Sequence, residues 1–282
     1  MDTTTIWQVD YYRRPLHDKQ GQDLWELLIC TPTRSLEFIA ICSQSKVNPN
    51  WLVEQLQKAG QDQDLPDRIQ VFRPQSLGLI ETAAQILGLK VEPTRRTIAL
   101  KEWLQERAQQ YQDMEVYTGE FYDPLVLDVP PPLPLAENLW GDRWRFASLP
   151  AGNIEDIIER PIPVLEASKF LLPLNLGLSS ILPIPGVAID GGHQSMRLTR
   201  WLETVQPYFL KYISGDPDRL ILEAGLVDRW VVATFSDKEV SAAAQVYEAR
   251  KQQSQGLHFL LVQPDDSGMT YSGFWLLQYN KV

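Results

Sequence analysis

Apolar and polar side chains alternate with a period of two from Thr5 to Tyr12, where Ile6, Gln8, Asp10 and Tyr12 interleave with Trp7, Val9 and Tyr11. One face of such a strand is strongly apolar and the other mixed. After a turn at Pro15 to Gly21, short apolar runs at Leu24 to Cys30 and Leu36 to Cys42, separated by Pro32 and polar residues, predict a three-stranded antiparallel meander. The spacing then becomes helical. Trp51, Leu52, Gln55 and Leu56, preceded by Asn48 and Pro49, predict a helix ending at Gly60, and Arg68 to Phe72 a fourth strand. Ser76 to Leu87 predicts a second helix closed by Gly88, Lys90 to Glu92 a fifth strand, and Ile98 to Tyr111 a third helix with Trp103 and Leu104 inward.

The resulting order, β-β-β-α-β-α-β-α, is the one found in ribonuclease-H-like folds. From Asp123 to Pro134 the composition shifts to a proline-rich segment that is stiff and extended, and predicts a domain boundary. The expected organisation is an α/β protein of two α/β domains, 1–122 and 137–282, joined by a Pro-rich linker, 123–136. In the second half Arg143 to Leu149 predicts a strand, Ile154 to Glu159 a short helix and Arg197 to Val205 another. Arg219 to Ala224 and Arg229 to Phe235 form a hairpin around Gly225 to Asp228. Asp237 to Gln253, capped by Ser236, is the longest helix, and Leu257 to Val262 pairs with Gly273 to Tyr279 as closing strands.

The 282 residues, 44% apolar and 22% charged, are enough for two domains with cores of their own. Cys30, Cys42, His17, His193 and His258 are scattered without zinc-site spacing, and no disulfide framework is expected. Phe170 to Ile189 is uncharged over a length that could cross a bilayer. Pro173, Pro183 and Pro185 with Gly177 and Gly186 make it instead an irregular buried or interface-covering segment, so no membrane span is expected. The opening Met-Asp-Thr-Thr-Thr lacks the marks of a signal or transit peptide, which makes the cytoplasm the expected compartment.

A formal charge of −10 argues against a chain that coats nucleic acid non-specifically. Residues 1–115 hold 13 Lys and Arg against 16 Asp and Glu, and residues 116–282 hold 13 against 20, so any nucleic-acid site must be local. Phosphate-loop, dinucleotide, nucleophile-elbow and zinc-protease motifs are all missing, and no cofactor signature is present. Asp190-Gly191-Gly192-His193 looks site-like but lacks an identifiable second partner, and reads as a turn. A two-metal nuclease needs a carboxylate on the first strand, on the first helix and near the end of the fourth strand. Asp10 and Glu54 supply two, with Glu26 a further carboxylate, but the fourth strand ends in Arg73. The first-domain residues Tyr11, Tyr12, Arg13, Arg14, Arg73, Arg95 and Arg96, with Trp7, suit single-stranded nucleic acid, where stacking is worth roughly 1–3 kcal/mol per base. The alternative is that Trp7 and Tyr11 are core and the arginines pair with local carboxylates.

Several ordered phrases resemble the Tab-two (A-Tab-two) family of RNA-binding translation factors of oxygenic phototrophs. They are Trp7-Gln8-Val9-Asp10-Tyr11-Tyr12-Arg13-Arg14-Pro15, Leu24-Trp25-Glu26-Leu27-Leu28, Val71-Phe72-Arg73 with Gln75, Arg95-Arg96, and Asn138-Leu139-Trp140-Gly141-Asp142-Arg143-Trp144. The series closes with Gly256-Leu257-His258-Phe259-Leu260 and Gly273-Phe274-Trp275-Leu276-Leu277. Tyr11 departs from the family's commoner Asp-Phe-Tyr-Arg-Arg. The resemblance spans about residues 5 to 279.

It implies a non-catalytic, cyanobacterial translation or biogenesis factor for photosystem I subunits, with photosystem II as an extension. The partner it implies is a single-stranded, A/U-rich mRNA leader. It also carries an RNA-binding role onto Trp275, Leu276 and Leu277, although strand alternation places part of that tripeptide in the core. Two alternatives stand beside it. One is a scaffold for ribosome or photosystem assembly proteins, suggested by the −10 charge, the Pro-rich linker and the uncharged 170–189 segment. The other is a metal-dependent nuclease on Asp10, Glu26 and Glu54.

Overall fold

The computed structural model describes residues 4–61 and 64–279, which form an α/β protein. The chain divides into two compact units that meet at Asp128 and Val129. In the first, the strands are β1 (Ile6–His17), β2 (Asp23–Cys30), β3 (Glu37–Ser43), β4 (Arg68–Val71) and β5 (Lys90–Pro93). The helices are α1 (Pro49–Ala59) before β4, α2 (Pro74–Leu87) before β5, and α3 (Ile98–Tyr111) last. The sheet runs β3-β2-β1-β4-β5, with β1–β2 and β2–β3 antiparallel and β1–β4 and β4–β5 parallel.

The period-two pattern of β1 sorts its side chains between the two faces. Trp7, Val9 and Tyr11 pack with Leu52 and Leu56 of α1 and Ile80 of α2. On the other face Leu28 and Cys30 pack with Phe72 and with Leu100, Trp103 and Leu104 of α3. There Gln8 Oε1 accepts from the Leu100 amide at 3.0 Å, tying the start of α3 to the sheet. Asn48 caps α1 by accepting from the Trp51 amide at 3.0 Å, and Pro49 fills the first helical position. The left-handed Gly88, φ 72°, closes α2.

The second unit holds β6 (Leu133–Pro134), β7 (Arg143–Pro150), α4 (Ala151–Ile158), β8 (Val164–Glu166), β9 (Pro183–Asp190), α5 (Ser195–Val205) and β10 (Pro207–Ile213). After these come β11 (Asp218–Ala224), β12 (Asp228–Phe235), α6 (Lys238–Gln253), β13 (Leu257–Gln263) and β14 (Gly273–Gln278). They make a four-stranded sheet, β10-β11-β12-β6, and a five-stranded one, β7-β9-β13-β14-β8. Val187, Ile189, Leu260, Val262, Trp275 and Leu277 of the larger sheet share a core with Leu210, Leu220 and Leu222 of the smaller. The opposite face, with Ala188, Phe259, Phe274 and Leu276, packs with Ile154 and Ile157 of α4.

Two expectations are corrected. The uncharged 170–189 segment is not irregular throughout, because Pro183–Asp190 is β9, antiparallel to β7 and parallel to β13. Its prolines are tolerated because pairing with β13 begins only at Gly186, so Pro183 and Pro185 lie where β9 is paired with β7 alone. The cap of α6 is Asp237 and not Ser236: the Asp237 carboxylate accepts from the amides of Glu239 at 2.8 Å and Val240 at 3.1 Å. Strands β6, β8 and β10 are additional to those expected. Among the described residues no helix is long and apolar enough to cross a membrane.

Candidate nucleic-acid interface

The mixed face of β1 carries a buried charge network. Asp10, fully buried, accepts from Arg14 Nη2 at 2.8 Å and from Arg73 Nε at 2.9 Å. Arg14 also donates to Glu26 at 3.3 Å and to the Tyr122 hydroxyl at 3.0 Å. Glu26 further accepts from Arg107 and from the Tyr111 hydroxyl. Burial alone raises the Asp10 pKa, but the Arg73 and Arg14 guanidiniums outweigh it and hold the carboxyl below the ordinary range. Burial pushes the Tyr111 and Tyr122 hydroxyls up, so both stay protonated, Tyr111 donating to Glu26 and Tyr122 accepting from Arg14.

Arg73 stands where β4 ends and α2 begins. Its remaining nitrogens donate to the carbonyls of Pro124 at 2.6 Å and Val126 at 3.4 Å, and its guanidinium lies 4.3 Å from the Tyr12 ring centroid. The early part of the 123–136 segment is thus bound to the first unit, with Leu125 and Leu127 against the α3 face. Leu133 and Pro134 pair with β12 in the second unit.

Outside this network a cleft of about 250 Å³ is lined by Tyr12, Arg13, Arg14, Arg73 and Tyr122, together with Gln75, Phe121 and the carboxylates Glu120, Asp123 and Asp128. The Arg13 side chain is 51% exposed and pairs with Asp23 at 3.2 Å. Phe121 is 97% exposed. Cations, two stackable rings and acidic rims therefore meet in one place.

The remaining expected residues lie elsewhere. Tyr11 is core: its ring stacks on Trp51 with centroids 5.4 Å apart and its hydroxyl meets Cys42 Sγ at 3.2 Å. Arg95 is buried, and its carbonyl accepts from Lys101 at 2.7 Å; Arg96 is exposed; neither lines the cleft. Trp275, Leu276 and Leu277 are at most 1% exposed, the first and third in one core and Leu276 in the other. Alternation along a strand buried on both faces leaves the tripeptide no surface to present. Asp190 is likewise a buried acceptor, holding Arg145 at 2.7 Å and Gln263 at 2.8 Å, while His193 is exposed on the turn.

Asp10 and Glu26 spend their oxygens on guanidiniums, which would have to leave before either could hold a metal. Among the described residues no cluster of three or more His, Cys, Asp and Glu is arranged for one. The sequence reasoning missed Arg107, Tyr111 and Tyr122 as members of the network. Arg107 was detectable, since it follows Trp103 and Leu104 by four and three residues on the inward side of α3.

Residues 6–107 match the family model described as RNA-binding protein Tab2/Atab2 N terminal, and residues 122–278 the one described as RNA-binding protein Tab2/Atab2, C-terminal domain. The chain is 31% identical over 277 residues to the maize (Zea mays) "Protein TAB2 homolog, chloroplastic", covering 96% of this chain and 70% of that protein. It is 32% identical over 286 residues to the protein of the same name from Arabidopsis thaliana, covering 98% and 75%. Among solved structures, the HTLV-2 integrase catalytic core with magnesium is similar at 13% identity in its dimeric form, over 38% of this chain and 72% of that one, with a TM-score of 0.25. The trimeric form gives 12%, 39%, 73% and 0.27. Those two likenesses are too slight to carry an argument. With family matches across both units and two curated relatives aligned over nearly its whole length, the chain belongs to the Tab2/Atab2 family.

Proposed function

We propose that this protein binds single-stranded RNA through the cleft at the end of β1 and acts, without catalysis, as a translation or biogenesis factor for photosystem subunits in a cyanobacterial cytoplasm. The observation that carries the reading is the pair of matches, one per unit, to models described as an RNA-binding protein. The cleft supports it, because Tyr12 offers a ring already backed by the Arg73 guanidinium and Arg13 is an exposed cation beside it. A single-stranded leader suits such a site, since stacking on a ring needs an unpaired base and acidic rims penalise contacts made by charge alone; its A/U-rich composition is carried by the family resemblance and not by the cleft.

A mobility-shift titration with an A/U-rich RNA tests the binding. Arg13→Ala should weaken it and reduce the log-log salt slope by about 0.7, the value for one phosphate on a single strand. Unchanged affinity in a folded variant removes the cleft from the reading, and cleavage of the RNA in Mg²⁺ or Mn²⁺ removes the non-catalytic role. Loss of photosystem I subunit messages from polysomes in a deletion strain tests the translational role.

A second reading, an assembly scaffold, draws on Phe170 and Ile181, which are 85% and 83% exposed on the uncharged segment. Partners retained after ribonuclease treatment, and lost when both residues become serine, favour it.

A further inference from the structure

In the second unit a cavity of about 400 Å³ lies beside the edge of β12 and the start of β7. Its volume falls in the range of about 300–1,000 Å³ typical of small-ligand sites. Buried Leu135, Leu139, Ile189 and Leu198 supply apolar lining. Three features around it point to one kind of occupant.

Trp140 lines the cavity and is 58% exposed, an unusual position for so large an apolar side chain. Its indole Nε1 donates to the Leu135 carbonyl at 3.0 Å, which holds the ring in place and leaves its faces to be used. The backbone before β7 fixes that position: a Cβ on Gly141 would come within 2.6 Å of Ile189 Cγ2 and 2.9 Å of the Asp190 carbonyl. Arg143 is the charged side chain of the lining, where no carboxylate occurs. It is 71% exposed, and its ion pair with Asp266 is long, 3.7 Å, and open to solvent. Finally, β6 pairs only Trp230 and Val231 of β12. Beyond them, among the described residues, no strand is paired with that edge at Val232, Ala233 and Thr234, which are part of the cavity lining.

We infer that this cavity takes an unstacked nucleobase of single-stranded RNA. The base lies on the Trp140 ring, the backbone of Val232 to Thr234 meets its edge, and Arg143 meets the adjoining phosphate. An aromatic plane, a solvent-exposed cation and polar groups at the base edge are what recognition of a splayed base requires. The rival occupant is a peptide strand added to β12. The side chains favour a base over it, because backbone pairing of an added strand would use neither the exposed Trp140 ring nor the Arg143 cation. The inference rests on the RNA-binding reading above and adds a contact in the unit that does not carry Tyr12 and Arg13.

The test titrates the full chain with a fluorescein-labelled, twelve-nucleotide A/U-rich RNA at low salt. Wild type is compared with Trp140→Ala, Trp140→Phe, Arg143→Ala and Arg13→Ala, with thermal melts confirming that each is folded. A second arm crosslinks RNA carrying 5-iodouridine and maps the adduct. Trp140→Ala should weaken binding about tenfold or more, Trp140→Phe should restore most of it, and the adduct should fall on Trp140 or Trp144. Arg143→Ala should lower the salt slope by about 0.7. If Arg13→Ala weakens binding while Trp140→Ala binds as wild type, the cavity is not a base site and the RNA-binding reading survives. If wild type binds no RNA, both fall. Release of an extended peptide, but not RNA, by Trp140→Ala would overturn the inference in favour of strand addition.

Discussion

Asp10 accepts from Arg14 and Arg73, and losing Arg73 leaves the buried carboxylate on Arg14 alone, a guanidinium that Glu26 also uses. Breaking a buried pair from one side costs about 3–5 kcal/mol. Arg73→Met is therefore expected to lower the first unit's stability by that order, read as a drop in the urea midpoint. The folded Asp10 carboxyl titrates below its ordinary 3.8, so its contribution is present above that pH and is lost as the pH falls through the folded value. His258 behaves differently. Burial, aided by Lys251, lowers its pKa from 6.5 to about 3, overcoming the opposing effect of Nδ1 bonding to the Gly256 carbonyl at 2.8 Å, while Nε2 accepts from the Leu210 amide at 2.9 Å. The unfolded chain takes up this proton first, so stability from His258 is complete above about pH 6.5 and declines toward pH 3, by on the order of 4 kcal/mol. His258→Gln, whose amide can serve both partners, is expected to flatten that decline in denaturant unfolding at pH 4 against pH 7. At this scale the sequence shows a carboxylate within a strand. It does not show the guanidinium 63 residues away that decides the carboxylate's role.

At the scale of elements, β14 places Trp275 and Leu277 in one core and Leu276 in the other. Trp275→Ala is expected to cost about 3–5 kcal/mol. Any loss of RNA binding should then follow the melting curve and recover on cooling below the variant's midpoint, whereas a lost contact would persist in folded protein. A binding measurement at two temperatures beside a thermal melt separates the two. Helices were legible where an apolar stripe met a punctuating residue, as at Asn48 and Gly88. The meander was legible because one face of β1 is apolar and the other mixed. β9 was hidden because a strand buried on both faces has no alternation, and because Pro183 and Pro185 look like breakers until its one-sided pairing there is known. In the same way Asp237 and Ser236 are both acceptable caps, and only the backbone angles choose between them.

The whole molecule carries a −10 charge, and with Arg14 and Arg73 used internally the cleft and the cavity each offer phosphate one exposed guanidinium, Arg13 and Arg143. RNA binding is therefore expected to show a shallow salt slope, no steeper than about −2, corresponding to two or three phosphate contacts. Anisotropy titrations across a salt series would measure it, and a slope several times steeper would indicate a basic surface that neither cleft nor cavity supplies. The candidate arginines were legible as a group along the chain. Their division into buried struts and exposed cations was not, because it depends on which carboxylates the sheet brings inside.

The Arg73 and Arg14 contacts also decide how much chain the first unit needs in order to stand alone. A gene split or proteolytic cut at residue 107, where the N-terminal family match stops, would keep both guanidiniums and Glu26. It would discard the Tyr111 and Tyr122 hydroxyls and the carbonyls of Pro124 and Val126. Against a domain stability of about 5–15 kcal/mol, several buried polar groups orphaned together are enough to unfold it. The smallest heritable piece is therefore expected to run on at least to Val126, a limit set by the reach of two arginines and not by the last turn of a helix.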